Sequence, residues 1–126
     1  MIKGYLIDTN IIISHLKGDI NITSFLLDLE KQGNFYTSVL NKAEVDSGLF
    51  PEEASKSDIF FDKIKIYDVT LTIANIGSSY YKRYNKSHGI TLVDAIIAGT
   101  AKYYNIALIT MNKKHFPMDD FTIINP

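Results

Sequence analysis

The sequence predicts an α/β fold with three layers, a central, mostly parallel sheet of about four or five strands flanked by helices on both faces. Three observations predict it. Short apolar runs at 4–7, 35–37, 64–69, 106–110 and 121–124 alternate with longer segments of helical periodicity, and that alternation implies right-handed crossovers between parallel strands. At 126 residues, 46% of them hydrophobic, the chain fits one compact domain, residues 1–126, with a real core. No repeat, low-complexity tract or linker divides it.

Each element has a local reason. The strand at 4–7 leads into a helix over Asn10–Leu16, which Gly18 stops. Ile22–Gln32 places Ile22, Phe25, Leu26 and Leu29 on one face and ends at Gly33. The strand Phe35–Thr37 feeds a helix from about Ser38 to Leu49, and Pro51 suits the first turn of the next, Glu52–Phe61. A third strand at 64–69 precedes a long helix from Thr70 to about Lys86, with Gly89 as its stop. Thr91 opens the helix "TLVDAIIAGTAKYY", and "IALIT" and "FTII" supply the last strands, separated by the polar turn "MNKKHFPMDD".

Composition narrows the function. A net charge of −1 gives no overall electrostatic footprint for nonspecific nucleic-acid binding, so any such binding must be local. The absence of cysteine removes disulfides, thiolate nucleophiles and sulfur-ligated zinc. The first apolar stretch is broken by Asp8, Thr9 and Asn10, unlike a secretion signal, and no stretch reaches the roughly 20 apolar residues of a membrane helix. The expected location is the cytoplasm.

Three acids carry the chemistry. Asp8, Glu44 and Asp94 each sit where a strand or loop gives way to a helix, and in parallel sheets such junctions line a crevice outside the carboxyl ends of the strands. Three converging carboxylates repel one another and suit a hard divalent cation that prefers oxygen ligands. Each also has a plain structural explanation. Asp8 would cap the helix after it, while Asn41 with Glu44 and Thr91 with Asp94 have capping-box spacing. Against this, Val93, Ala95, Ile96 and Ile97 surround Asp94, so its helix turn is expected to be largely buried, with no cation nearby in sequence.

These residues also carry a resemblance. "LIDTNIII" with Asp8, "TSVLNKAEVDSGL" with Glu44, "GITLVDAIIAGTAKYYNIALIT" with Asp94 and "TMNKKHFP" with Asn112 resemble, in order and spacing, the PIN domain family, in particular its VapC-type toxin ribonucleases. The resemblance implies a PIN-like fold and an endoribonuclease dependent on one or two Mg2+ or Mn2+ ions, which hydrolyses RNA with metal-activated water. It implies a cognate antitoxin whose tail enters the active-site groove, and a homodimer. Asp8, Glu44 and Asp94 would then be the catalytic metal ligands, with Thr9, Asn10, Thr110 and Asn112 as polar support. This chain departs from the pattern at one place. Many relatives carry a fourth acid three residues after the last asparagine, where this chain has His115; ligation there would pass to Asn112, water or Asp119, while His115 has the alternative of packing beside Phe116.

Contacts to RNA fall to basic residues near the groove: Lys42, Lys82, Arg83, Lys86, Lys113 and Lys114, with Tyr80, Tyr81 and Tyr84 interleaved. Bases would stack on the rings while the cations follow phosphates. The competing explanation is that Ile73, Ile76, Tyr80 and Tyr84 form an inward helix face and the cations a solvated one. Two rival functions stay open. One is a PIN-like module that binds RNA or protein without cutting; the other is a receiver-type phospho-acceptor domain, for which the acceptor would be Asp8 or Asp68.

Overall fold

The computed structural model describes residues 4–126. Five strands form one sheet: β1 (Gly4–Ile7), β2 (Asn34–Ser38), β3 (Lys65–Tyr67), β4 (Ala107–Ile109) and β5 (Ile123–Ile124). Their order is β3-β2-β1-β4-β5, and every pairing is parallel. Six α-helices join them: α1 (Thr9–Leu16), α2 (Ile20–Glu30), α3 (Val39–Gly48), α4 (Ala54–Asp62), α5 (Leu71–His88) and α6 (Leu92–Tyr104), with 3-10 turns at Pro51–Glu53 and Lys113–His115. Receiver domains have the order 2-1-3-4-5, so this topology removes the receiver alternative. Among the described residues, no helix is long and apolar enough to cross a membrane.

The sheet is buried on both sides, and the two-residue period of its strands divides the core. Tyr5, Ile7, Ala107 and Ile109 point into one cluster, completed by Ile11, Ile12 and Leu16 of α1, Ile22, Leu26 and Leu29 of α2, Val45 of α3 and Phe61 of α4. Leu6 and Leu108 point the other way, against Tyr80 of α5 and Ala95, Ile97, Ala98 and Ala101 of α6. Continuous apolar strands of this kind mark a sheet covered on both faces. The inward face of Ile22–Gln32 is therefore core, and so are Ile73, Ile76, Tyr80 and Tyr84, as the helical spacing anticipates.

On the second face, α5 and α6 cross closely at two glycines. A Cβ on Gly77 would lie 2.8 Å from Ile96 Cα, and one on Gly99 would lie 3.0 Å from the Gly77 nitrogen. The helices approach because neither carries a side chain there.

Several boundaries differ from the sequence expectation for local reasons. α2 starts at Ile20, not Ile22, because Asp19 Oδ1 accepts the Ile22 N–H at 3.1 Å and caps it. Pro51 opens a 3-10 turn, not the α-helix itself; Glu53 Oε1 accepts the Phe50 N–H at 3.0 Å and α4 begins only at Ala54. β3 is shorter than 64–69 because its ladder with β2 runs only from Tyr36↔Lys65 to Ser38↔Tyr67. α5 ends as expected at Gly89, whose φ of 66° is the left-handed conformation, and α6 ends on Asn105 in the same region.

Candidate active site

The carboxyl ends of the three central strands build the crevice. β1 ends at Ile7, and Asp8 follows as N-cap of α1, its Oδ1 accepting the Thr9 N–H at 2.9 Å. β2 ends at Ser38, the N-cap of α3, which carries Glu44. β4 ends at Ile109, whose carbonyl accepts the Asp8 N–H at 3.0 Å, and Thr110 follows. Asp94 lies in the first turn of α6, its N–H donating to the Thr91 hydroxyl at 3.1 Å.

Asp8 is 4% exposed, and both of its carboxylate oxygens accept hydrogen bonds. Thr110 Oγ1 donates to Oδ2 at 2.7 Å and Asn41 Nδ2 to Oδ1 at 3.2 Å. Asn41 also donates to Thr9 Oγ1 at 3.0 Å, and the Thr9 hydroxyl in turn donates a hydrogen bond to Glu44 Oε1 at 2.6 Å. A continuous chain of bonds thus runs from Thr110 through Asp8, Asn41 and Thr9 to Glu44. Asn41, 0% exposed, is its hub. The sequence reading paired Asn41 with Glu44 as a helix start; the structure instead gives the capping box to Ser38 and Asn41, one turn earlier. The spacing of Ser38 and Asn41 in "TSVLN" was the available signal.

The electrostatics place Asp94 in the same neighbourhood. Burial pushes the Asp8 carboxyl up from 3.8 to about 6; repulsion from Asp94 and Glu44 adds to the rise, and the bonds from Thr110 and Thr9 oppose it. The Asp94 carboxyl is raised too, by desolvation first and Glu44 second, against the Thr91 hydroxyl and the charge of His115. Asp94 is half-buried, but its turn is more open than expected: Leu92 and Val93 are exposed while Ala95 and Ile97 are buried. The apolar pattern gave the residues without the side they face.

The supporting residues divide. Asn10 Oδ1 accepts the Met111 N–H at 3.3 Å and the Asn112 N–H donates to Thr110 Oγ1 at 3.1 Å, so both tie the loop after β4 to the site. His115, half-buried at the end of the turn Lys113–His115, faces the field of Asp94. Asp119 is exposed and takes no part in this network among the described residues. Of the cations, Lys42 pairs with Asp46 on its own helix and sits 5.1 Å from the Phe61 ring centre. Arg83 lies over Tyr84, at 5.8 Å, and Lys82 and Lys86 are exposed on α5. Lys113 and Lys114 stand exposed on the turn that His115 closes. A cavity of about 690 Å³ opens elsewhere, lined by Leu26, Leu27, Ile59 and Phe60 and by none of the three acids.

Among the described residues, no three acid or histidine side chains form a closed metal-holding cluster. Asp8 and Glu44 share a hydrogen-bond network, and Asp94 joins them only through its charge. Their donor set nonetheless fits a hard divalent cation: oxygen ligands only, from three separate elements, with carboxyl pKa values raised in part by mutual repulsion that a cation would relieve.

Comparison with known proteins agrees with this architecture. The PIN domain family profile matches residues 5–119. Ribonuclease VapC19 of Mycobacterium tuberculosis is 37% identical over 115 residues, covering 90% of this chain and 92% of that protein. Among solved structures, VapBC2 from Rickettsia felis bound to a promoter DNA fragment superposes with a TM-score of 0.83 at 24% identity, covering 98% of each chain. A toxin–antitoxin complex from Klebsiella pneumoniae does so with a TM-score of 0.79 at 24% identity and 95% coverage of each. A profile match over nearly the whole sequence, on a parallel sheet whose central strands deliver Asp8 and Thr110 to one crevice, means that this chain belongs to the PIN domain family.

Proposed function

We propose that this chain is an endoribonuclease, the toxin of a toxin–antitoxin pair acting in the cytoplasm, with Asp8, Glu44 and Asp94 as its catalytic acids. The observation that carries the reading is the buried bond chain from Thr110 to Glu44. So many neutral donors spent on two acids, beside a third that raises the pKa of the first, hold negative charge where packing alone would exclude it. The relative VapC19 is named a ribonuclease, which supports RNA as the substrate.

Asp8, Glu44 and Asp94 would hold one or two Mg2+ or Mn2+ ions. When bound, such a cation supplies Lewis-acid polarisation of the phosphodiester and a more acidic water. The chain's own residues do the positioning. Asn41 and Thr110 fix the Asp8 carboxylate by both oxygens, and Thr9 fixes Glu44. His115 acts on Asp94 through charge, lowering that carboxyl's pKa.

The Klebsiella pneumoniae neighbour is a toxin–antitoxin complex, which supports an antitoxin as partner. The groove between α1, α2 and α4, with Leu27 and Ile59 exposed at its edge, offers an apolar seat for a partner helix. A homodimer belongs to the same reading.

The test is cleavage of a generic RNA in manganese, with and without chelator, by the wild type and by Asp94→Asn. Manganese-dependent cutting that the substitution abolishes, with circular dichroism unchanged, is the expected result. Cutting by Asp94→Asn at the wild-type rate overturns the assignment, and folded wild-type protein that binds RNA without cutting it points to the binding module.

A further inference from the structure

We propose that the open pocket beside the turn Lys113–His115 is a binding subsite for single-stranded RNA next to the scissile phosphate, its cations holding backbone phosphates and its apolar side chains receiving a base. The inference rests on the nuclease reading and deepens it. The pocket, of about 470 Å³, is lined by the polar side chains of His88, Lys113 and Lys114 and by the apolar ones of Phe116, Met118 and Phe121. Phe116 and Met118 are buried in the core, whereas Phe121 is half-buried with its ring 6.2 Å from that of Tyr80.

Location ties the pocket to the acids. The Asn112 N–H at the head of the turn bonds Thr110, which bonds Asp8, and His115 at its foot acts on Asp94. One three-residue turn therefore carries two lysines that line the pocket and a histidine whose charge acts on Asp94. RNA reaching three carboxylates needs local cations to offset the repulsion, because the chain's net charge of −1 gives no general attraction. Lys113 and Lys114 can supply them, since among the described residues neither is held in an ion pair. Lys42, committed to Asp46 and the Phe61 ring, cannot serve equally. Cationic side chains beside apolar and aromatic ones match the needs of a nucleotide, phosphate on the cations and base on the ring.

The experiment separates binding from cleavage. In an Asp94→Asn background with chelator, a fluorescent single-stranded RNA oligonucleotide is titrated across a range of salt. Adding K113A/K114A is expected to weaken binding about tenfold at low salt and to flatten the log–log salt dependence by about 1.4, the loss of two phosphate contacts on a single strand. Removing two lysines elsewhere, K31A/K65A, is expected to leave both unchanged. If K113A/K114A keeps parental affinity and slope while the wild type still cuts RNA, the subsite is refuted and the nuclease reading stands. If the double substitution abolishes binding of a poly-glutamate peptide but spares RNA, the pocket is a peptide site and the RNA assignment falls. If the wild type neither cuts nor binds RNA, the nuclease reading fails and this inference with it.

Discussion

The Thr9 hydroxyl donates to Glu44 Oε1 at 2.6 Å, across 35 residues of sequence, and so fixes the Glu44 carboxylate of α3 from the first turn of α1. The Thr9 hydroxyl oxygen in turn accepts from Asn41 Nδ2. Thr9→Ala removes both bonds. It is expected to lower RNA cleavage about 10- to 100-fold, the usual cost of losing a partner that orients a ligand, while Thr9→Ser retains most of the activity. Kinetics with the two variants side by side check this; equal loss in both would mean that packing of the Thr9 methyl, not the bond, matters.

Asp8 gives the protein a pH signature. In the folded state its carboxyl holds its proton up to about pH 6, whereas its ordinary value is 3.8. Between those values the native state binds more protons than the unfolded chain, so stability falls as pH rises, by up to about 3 kcal/mol. The contribution is complete below the lower value and gone above the upper one. Asp8→Asn stays neutral throughout; in chelator it is expected to melt higher than wild type at pH 7.5, with the gain vanishing near pH 3.5. Thermal melts at both pH values decide, and a variant that melts lower at pH 7.5 contradicts the prediction.

The charge of His115 lowers the Asp94 pKa against desolvation and Glu44. Replacing His115 with Gln is therefore expected to move that pKa upward. Carbon-detected NMR titration of the carboxyl in metal-free protein reads the shift directly; an unmoved midpoint would separate His115 from the site.

Gly77→Ala would place a methyl 2.8 Å from Ile96 Cα. Alanine is the better helix former by about 1 kcal/mol, but separating α5 from α6 costs more. A net destabilisation of about 1–3 kcal/mol is expected, measured as a lower urea midpoint. A rise in that midpoint would show that the crossing yields easily.

Much of the fold was legible because its signals are local. "YLID" is an apolar strand followed by one acid, and the structure makes Asp8 the N-cap directly after β1. Gly89, after a long periodic segment, closes α5 as read. What escaped depends on contacts between distant segments. Asn41 bonds Asp8 and Thr9 more than 30 residues away, so sequence spacing showed it only as a cap. The Gly77–Gly99 crossing required knowing that α5 lies on α6. Val93 read as burial for Asp94, yet it lies on the outer side of its turn. Of the six basic residues proposed for RNA, Lys42 is engaged by Asp46 four residues on along the same helix, a local spacing the reading did not use.

The outermost strands are only three and two residues long, and β3 places Lys65 on its border. Little unpaired backbone is left along either margin to template a strand from another molecule, and the lysine charge opposes such docking further. The sheet is thereby protected against edge-to-edge aggregation, a safeguard built into the length of two strands and independent of any catalytic residue.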